Sequence, residues 1–126
     1  MRVLLAEDER INQLYMLHLL QGAGHEVTLA NDGEEVLAQL RERQFDLVLM
    51  DVQMPRLSGL EAAECIRLDG EFASASTIPI IALSAHSSAK DLESFRSAGM
   101  NDALTKPIDE EALLALIKSY ERNNDT

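Results

Sequence analysis

Short apolar runs alternate with longer amphipathic stretches along the whole chain, five times over. Val3-Leu4-Leu5-Ala6, Val27-Thr28-Leu29-Ala30, Phe45 to Met50, Ile78 to Leu83 and the short Asp102-Ala103-Leu104 read as strands. Leu47 to Met50 and Ile78 to Leu83 are apolar at successive positions, so both faces of those strands have to be covered. Residues 10 to 22 read as a helix, with Ile11, Leu14 and Leu17 among its apolar positions at helical spacing and Gly22 and Gly24 closing it. Further helices are predicted from about Glu34 to Arg43 (Val36, Leu37 and Leu40 inward), Ser58 to Leu68, 87 to 98 (Leu92 and Phe95 inward) and Asp109 to Glu121 (burying Leu113, Leu116, Ile117 and Tyr120). Five β–α pairs with strands buried on both sides argue for a parallel sheet between two helical layers. At 126 residues the chain is one domain, here residues 1–121, with a polar tail, 122–126, expected to fray.

In such a sheet ligands bind beyond the carboxyl ends of the strands, so the residues just after each apolar run matter most. Glu7, Asp8 and Glu9 come after the first run, Asp51 after the third, Ser84 after the fourth, and Lys106 and Pro107 after the fifth; Asn31-Asp32-Gly33 after the second has turn chemistry. Singly, an acid at such a place is as readily a helix cap, and a lone serine or lysine is more often structural or solvated. Together they make a site. If Glu7, Asp8 and Asp51 lay ~4 Å apart, each ionised pair would cost about 4 kcal/mol at an effective dielectric near 20. Such a cluster raises its own pKa values or recruits a cation. Lys106 alone does not balance three carboxylates. Oxygen ligands without His or Cys suit a hard ion, Mg²⁺ or Mn²⁺, and with it the site is neutral enough for a phosphoryl group to approach. The chemistry implied is phosphoryl transfer to a carboxylate, with Lys106 offsetting oxygen charge and Ser84 donating a hydrogen bond.

Composition excludes several classes. A formal net charge of −11 disfavours direct nucleic-acid or membrane contact and favours a cation or a basic partner patch. The single cysteine, Cys65, forms no internal disulfide. The first acid, Glu7, comes too early for a signal peptide, and no apolar run approaches a membrane span, so a cytoplasmic domain is expected. No G-x-x-x-x-G-K-[ST] or G-x-G-x-x-G occurs, which disfavours a nucleotide site.

VLLAEDE, FDLVLMDVQMPRLSGLE, IPIIALSA and MNDALTKP, in that order, resemble the receiver domain of two-component response regulators over essentially the whole chain. The resemblance implies a flavodoxin-like doubly wound α/β fold, a five-stranded parallel sheet of order 2-1-3-4-5 with five helices. It implies Asp51 as phosphoacceptor and Mg²⁺ held by Glu7, Asp8, Asp51 and the backbone carbonyl of Gln53. It implies Ser84 as the hydroxyl switch, Lys106 on the phosphoryl oxygens and a cis Lys106–Pro107 bond. The donor would be a phosphohistidine on a histidine kinase or histidine phosphotransfer domain. The signal would leave by the face of the fourth helix, fifth strand and fifth helix, in a monomer or weak dimer. INQL, MDVQMP, PIIALSAHS and GMNDALTKPI look most like receivers fused to hybrid histidine kinases, and such a fusion would place the domain on the cytoplasmic side of a membrane-anchored sensor. One position departs: the aromatic usual three residues before the lysine is Ala103, so an aromatic rotamer cannot carry the switch here.

Two other functions stay open at this point. One is a receiver-like module that binds partners without phosphorylation. The other is a Mg²⁺-dependent phosphohydrolase of the haloacid-dehalogenase type, although that family has an acid where this chain has Gln53. Gln53 and His86 are candidates for gating water at the site. Glu9, the third acid, reads as solvated, His18 as helix surface and His25 as a turn residue. Cys65 and the five methionines read as core, and Gly59 as the residue whose positive φ turns the loop after Pro55.

Overall fold

The computed structural model describes residues 1–124. The elements run β1 (Arg2–Ala6), α1 (Arg10–Gly22), β2 (Glu26–Ala30), α2 (Gly33–Glu42), β3 (Leu47–Asp51), α3 (Gly59–Leu68), β4 (Ile80–Ser84), α4 (Ala89–Ser97), β5 (Asp102–Thr105) and α5 (Glu110–Asn124). A short 3-10 helix, Gly70–Ala75, follows α3; the sequence pattern predicts no element there. The five strands are all parallel, in the order β2-β1-β3-β4-β5, which is the doubly wound arrangement.

Strand alternation sorts the core into two layers. Val48 and Met50 point with Ile80 and Ala82 toward Val36 and Leu40 of α2, Ile66 of α3 and Phe95 of α4. Leu47 and Leu49 point with Ile81 and Leu83 toward Met16 and Leu20 of α1 and Leu113 and Ile117 of α5. Every residue of β3 and β4 is buried, as strands covered on both faces require. Caps set the helix starts. Ser58 and Ser88 close capping boxes with Glu61 and Asp91, and Asp32 accepts from the Glu35 amide. Glu9 is not simply solvated: its carboxylate caps α1, accepting from the Ile11 and Asn12 amides at 3.1 and 2.9 Å.

Several expected burials differ. The inner face of α1 carries Gln13, Met16, Leu19 and Leu20, whereas Ile11 is 74% exposed and Leu14 is also exposed. This helix is apolar on more than one side, so spacing alone does not choose its face. Leu92 of α4 is 39% exposed, because the short Ala103 of β5 leaves a groove of about 220 Å³ between them. Leu116 and Tyr120 of α5 are only partly buried; the Tyr120 hydroxyl donates to the Asp102 carboxylate. His25 ends the turn after α1, its amide donating to the Leu20 carbonyl at 3.1 Å, and it is also buried, with Nδ1 3.2 Å from the Met1 amino group and Nε2 3.2 Å from Glu121 Oε1. Cys65 is half-buried, and among the methionines Met16, Met50 and Met100 are core. Helix α5 reaches Asn124, beyond the expected end at Glu121, and positions 125 and 126 of the expected tail lie outside the described residues.

At the amino-terminal ends of β4 and β5, Arg67 of α3 donates to the carbonyls of Gly99 and Ser76 and to Asn101 Oδ1, each at 2.9 Å. Asn101 Oδ1 also accepts from the Ile80 amide at 2.8 Å.

Gly59 has no positive φ; in the loop after Pro55 it is Arg56 that takes one, at 67°. Glycine is required at 59 by close approach: a Cβ there would lie 2.1 Å from the backbone oxygen of Asp51. A backbone oxygen in mid-structure cannot swing aside. Gly59→Ala should therefore cost about 1–3 kcal/mol in urea unfolding, as overpacking does. Gly70→Ala, with nothing within 4 Å of its Cβ, is the control and should shift stability by less than about 1 kcal/mol. Equal stabilities for the two variants would refute the close-approach account.

Candidate active site

The parallel sheet delivers the expected groups to one edge. Glu7 and Asp8 follow β1, Asp51 ends β3, Ser84 ends β4 and Lys106 follows β5. Carboxylate oxygens of Glu7, Asp8 and Asp51 lie within 4.8 Å of one another. Asp8 faces solvent, Asp51 is buried, and Glu7 is 0% exposed. The ammonium of Lys106 donates to Asp51 Oδ2 at 2.7 Å and stands 3.1 Å from Glu7 Oε2. The Lys106–Pro107 peptide bond is cis.

Local bonds orient each acid. Glu7 Oε1 accepts from the Glu9 amide at 3.2 Å and from Asn12 Nδ2 at 3.5 Å. Asp51 Oδ1 accepts from the Gln53 amide at 3.1 Å. Glu7 Oε2 is buried and paired with the Lys106 ammonium, which Asp51 Oδ2 holds more closely. Three carboxylates that share one ammonium, one of them open to water, are a donor set fitted to a small hard divalent cation.

Burial pushes the Glu7 carboxyl above the usual carboxylate range, the Asp51 charge adds to this, and Lys106 opposes it. For Lys106, burial pulls the pKa down, but its bonds to Asp51 and Glu7 outweigh that and hold it above the ordinary lysine value. Lys106 is thus a fixed positive charge facing more negative charge than it can offset.

The Ser84 hydroxyl makes its hydrogen bonds to the His86 backbone and not to Asp51 or Lys106. It donates to the His86 carbonyl at 2.7 Å and accepts from the His86 amide at 3.0 Å. Asp51, Gln53, Ser84, His86 and Lys106 all border one pocket of about 150 Å³. His86 and Gln53 are both exposed at its rim, and His18 is exposed on the surface of α1, as expected.

Two residues escaped the sequence reading. Gln13 is buried on α1 behind Glu7, and its signal was available: it stands three and seven residues before Met16 and Leu20, on the face they define. Asp32, taken as turn chemistry, is buried, caps α2 and lies 3.5 Å from Arg56 Nη1. Its capping role had a local signal, Glu35 three residues on just before Val36 and Leu37, whereas its burial and its pairing with Arg56 had none.

Comparison with known proteins agrees with this geometry. The family model of the response regulator receiver domain matches residues 3–118. The sensor protein GacS of Pseudomonas syringae pv. syringae is 40% identical over 119 residues, covering 94% of this chain and 13% of that protein. The polar-differentiation response regulator DivK of Brucella anthropi is 35% identical, covering 94% of each. The receiver domain of sensor histidine kinase PA1611 from Pseudomonas aeruginosa, solved with a magnesium ion coordinated in its active-site cleft, superposes with a TM-score of 0.84 at 34% identity, covering 94% of this chain and 95% of that one.

An acid cluster and a lysine at the carboxyl edge of a 2-1-3-4-5 sheet define a phosphorelay signalling module of the two-component type. The chain belongs to the response regulator receiver domain family. It spans only a small part of the sensor kinase GacS and nearly the whole of DivK.

Because Glu7 holds its proton to higher pH when folded than when unfolded, its contribution favours folding at low pH and is lost as pH rises through the folded value. In metal-free protein Glu7→Gln, neutral at every pH, should be more stable than the parent at neutral pH. That advantage should shrink as the pH falls through the carboxylate range. Urea midpoints across a pH series measure it, and a difference independent of pH would contradict the assignment.

Proposed function

We propose that Asp51 is the phosphoacceptor and that residues 1–121 form the working unit. A carboxylate oxygen of Asp51 attacks the phosphorus of a phosphohistidine; the new O–P bond forms as the N–P bond breaks, and the electron pair stays with the departing imidazole. Lys106, already 2.7 Å from Asp51 Oδ2, is poised to meet charge on the transferred oxygens. Ser84 exchanges its bonds to the His86 backbone for one to a phosphoryl oxygen, and this rearranges the segment that leads to Ser88, the cap of α4.

Glu7, Asp8, Asp51 and the Gln53 carbonyl would hold Mg²⁺, with Mn²⁺ able to substitute. When bound, the ion neutralises the acid cluster and the incoming phosphoryl charge. The acid trio that shares the single ammonium of Lys106 is the observation that carries this reading. The magnesium in the PA1611 receiver, a solved structure of the same family, supports it. The isolated domain phosphorylates and dephosphorylates itself and turns over no external substrate.

The partner is a histidine kinase or histidine phosphotransfer domain. Ile11, Leu14 and Tyr15 form an exposed apolar patch on α1 beside the site, suited to such a docking partner. The likeness to GacS supports an origin within a hybrid kinase, on its cytoplasmic side; no helix among the described residues is long and apolar enough to cross a membrane. With Ala103 in place of an aromatic, the signal leaves through α4 and its neighbours β5 and α5 by backbone and packing changes.

Incubation with acetyl phosphate tests this, read by intact-protein mass. A gain of one phosphoryl mass is expected with Mg²⁺, and none with EDTA or in Asp51→Asn. A gain retained in Asp51→Asn would move the acceptor elsewhere. No gain either from acetyl phosphate or from a phosphorylated histidine phosphotransfer domain would favour a partner-binding module.

A further inference from the structure

Gln13 is 2% exposed on the inner face of α1, among residues that are otherwise apolar. Burying a carboxamide is unfavourable unless its hydrogen bonds are made. Here both donors are used: Nε2 donates to the backbone carbonyl of Glu7 and, at 2.6 Å, to Asn31 Oδ1. Its Oε1 stands 3.4 Å from Arg10 Nη1. Asn31 is held in turn by Glu35 Oε1, which accepts from its amide at 3.1 Å and its Nδ2 at 3.2 Å. The Glu7 amide donates to the Ala30 carbonyl at 3.1 Å. One side chain therefore ties α1, the acidic β1–α1 loop and the β2–α2 turn together.

The Glu7 carbonyl belongs to the peptide unit that joins Glu7 to Asp8. That unit is planar, so holding its oxygen fixes the directions in which both Cα atoms project. A residue that holds this plane restrains the backbone from which two of the three carboxylates project. Packing alone gives no reason for a carboxamide here, since a methionine would fill similar volume.

We propose that Gln13 is a positioning residue for divalent-cation binding, its carboxamide holding the Glu7–Asp8 peptide so that both acids face Asp51. This rests on the reading of the acid trio as the Mg²⁺ site. Partners that orient metal ligands without touching the metal typically change affinity by about 10–100-fold when removed.

The test is titration of Mg²⁺ into the parent, Gln13→Met and Asn31→Ala, following backbone amide resonances of residues 7–9. The parent should saturate, Gln13→Met should bind about 10-fold more weakly or worse, and Asn31→Ala should move the same way by less. In metal-free Gln13→Met the amides of residues 7–9 should exchange with solvent faster than in the parent. A purely structural role would lower the urea midpoint yet leave the affinity of the folded protein unchanged. Equal affinities in parent and folded Gln13→Met overturn the proposal while leaving the cation site standing. A parent that shows no saturable response removes the cation site and the proposal with it. Should Gln13→Met fail to fold, the surface variant Asn31→Ala decides, and parental affinity there overturns the proposal.

Discussion

Three carboxylates drawn to one edge of the sheet face a single ammonium, and the rest of the site depends on that imbalance. Glu7 is fully buried, Asp51 nearly so, and only Asp8 opens to water. Lys106 bridges the two buried acids and cannot balance all three. A buried carboxylate of this kind is held in place because the strands that carry it are packed on both faces. The fold thus supplies the stability that the site spends. The same imbalance gives the site its appetite for positive charge.

The architecture was legible because parallel strands covered on both sides leave a distinct trace, continuous apolar runs at Leu47 to Met50 and Ile78 to Leu83. The site was legible for a related reason: strand ends mark where ligands bind, so Asp51, Ser84 and Lys106 could be picked out by position. The faces of α1 and α4 were not. α1 offers apolar residues on several sides, and the choice of Met16 and Leu20 over Ile11 and Leu14 is made by the sheet it packs on. Leu92 of α4 is left partly outside because β5 presents only Ala103 beneath it.

Other misreadings concern backbone proximity, which leaves no composition signal. Gly59 was expected to serve a positive φ, but its value lies in the missing side chain, which lets α3 begin against the Asp51 carbonyl. The left-handed residue of that loop is Arg56, which nothing local marks out. Gln13, which the sequence reading passed over, is a polar residue on an apolar helix face; its worth lies in bonds to Glu7 and Asn31, six and eighteen residues away.

Arg67 gives the sheet a stiff end and a compliant one. Its guanidinium is bonded to three separate residues where β4 and β5 begin, and Asn101 is locked to Ile80 beside it. At the opposite end of the same two strands, the Ser84 hydroxyl is engaged only with the nearby backbone of His86. The pair of strands behaves as a cantilever clamped at its root. Any displacement introduced at the carboxyl end of these strands would be resisted at that root and taken up nearer the tip, in the segment between Ser84 and α4.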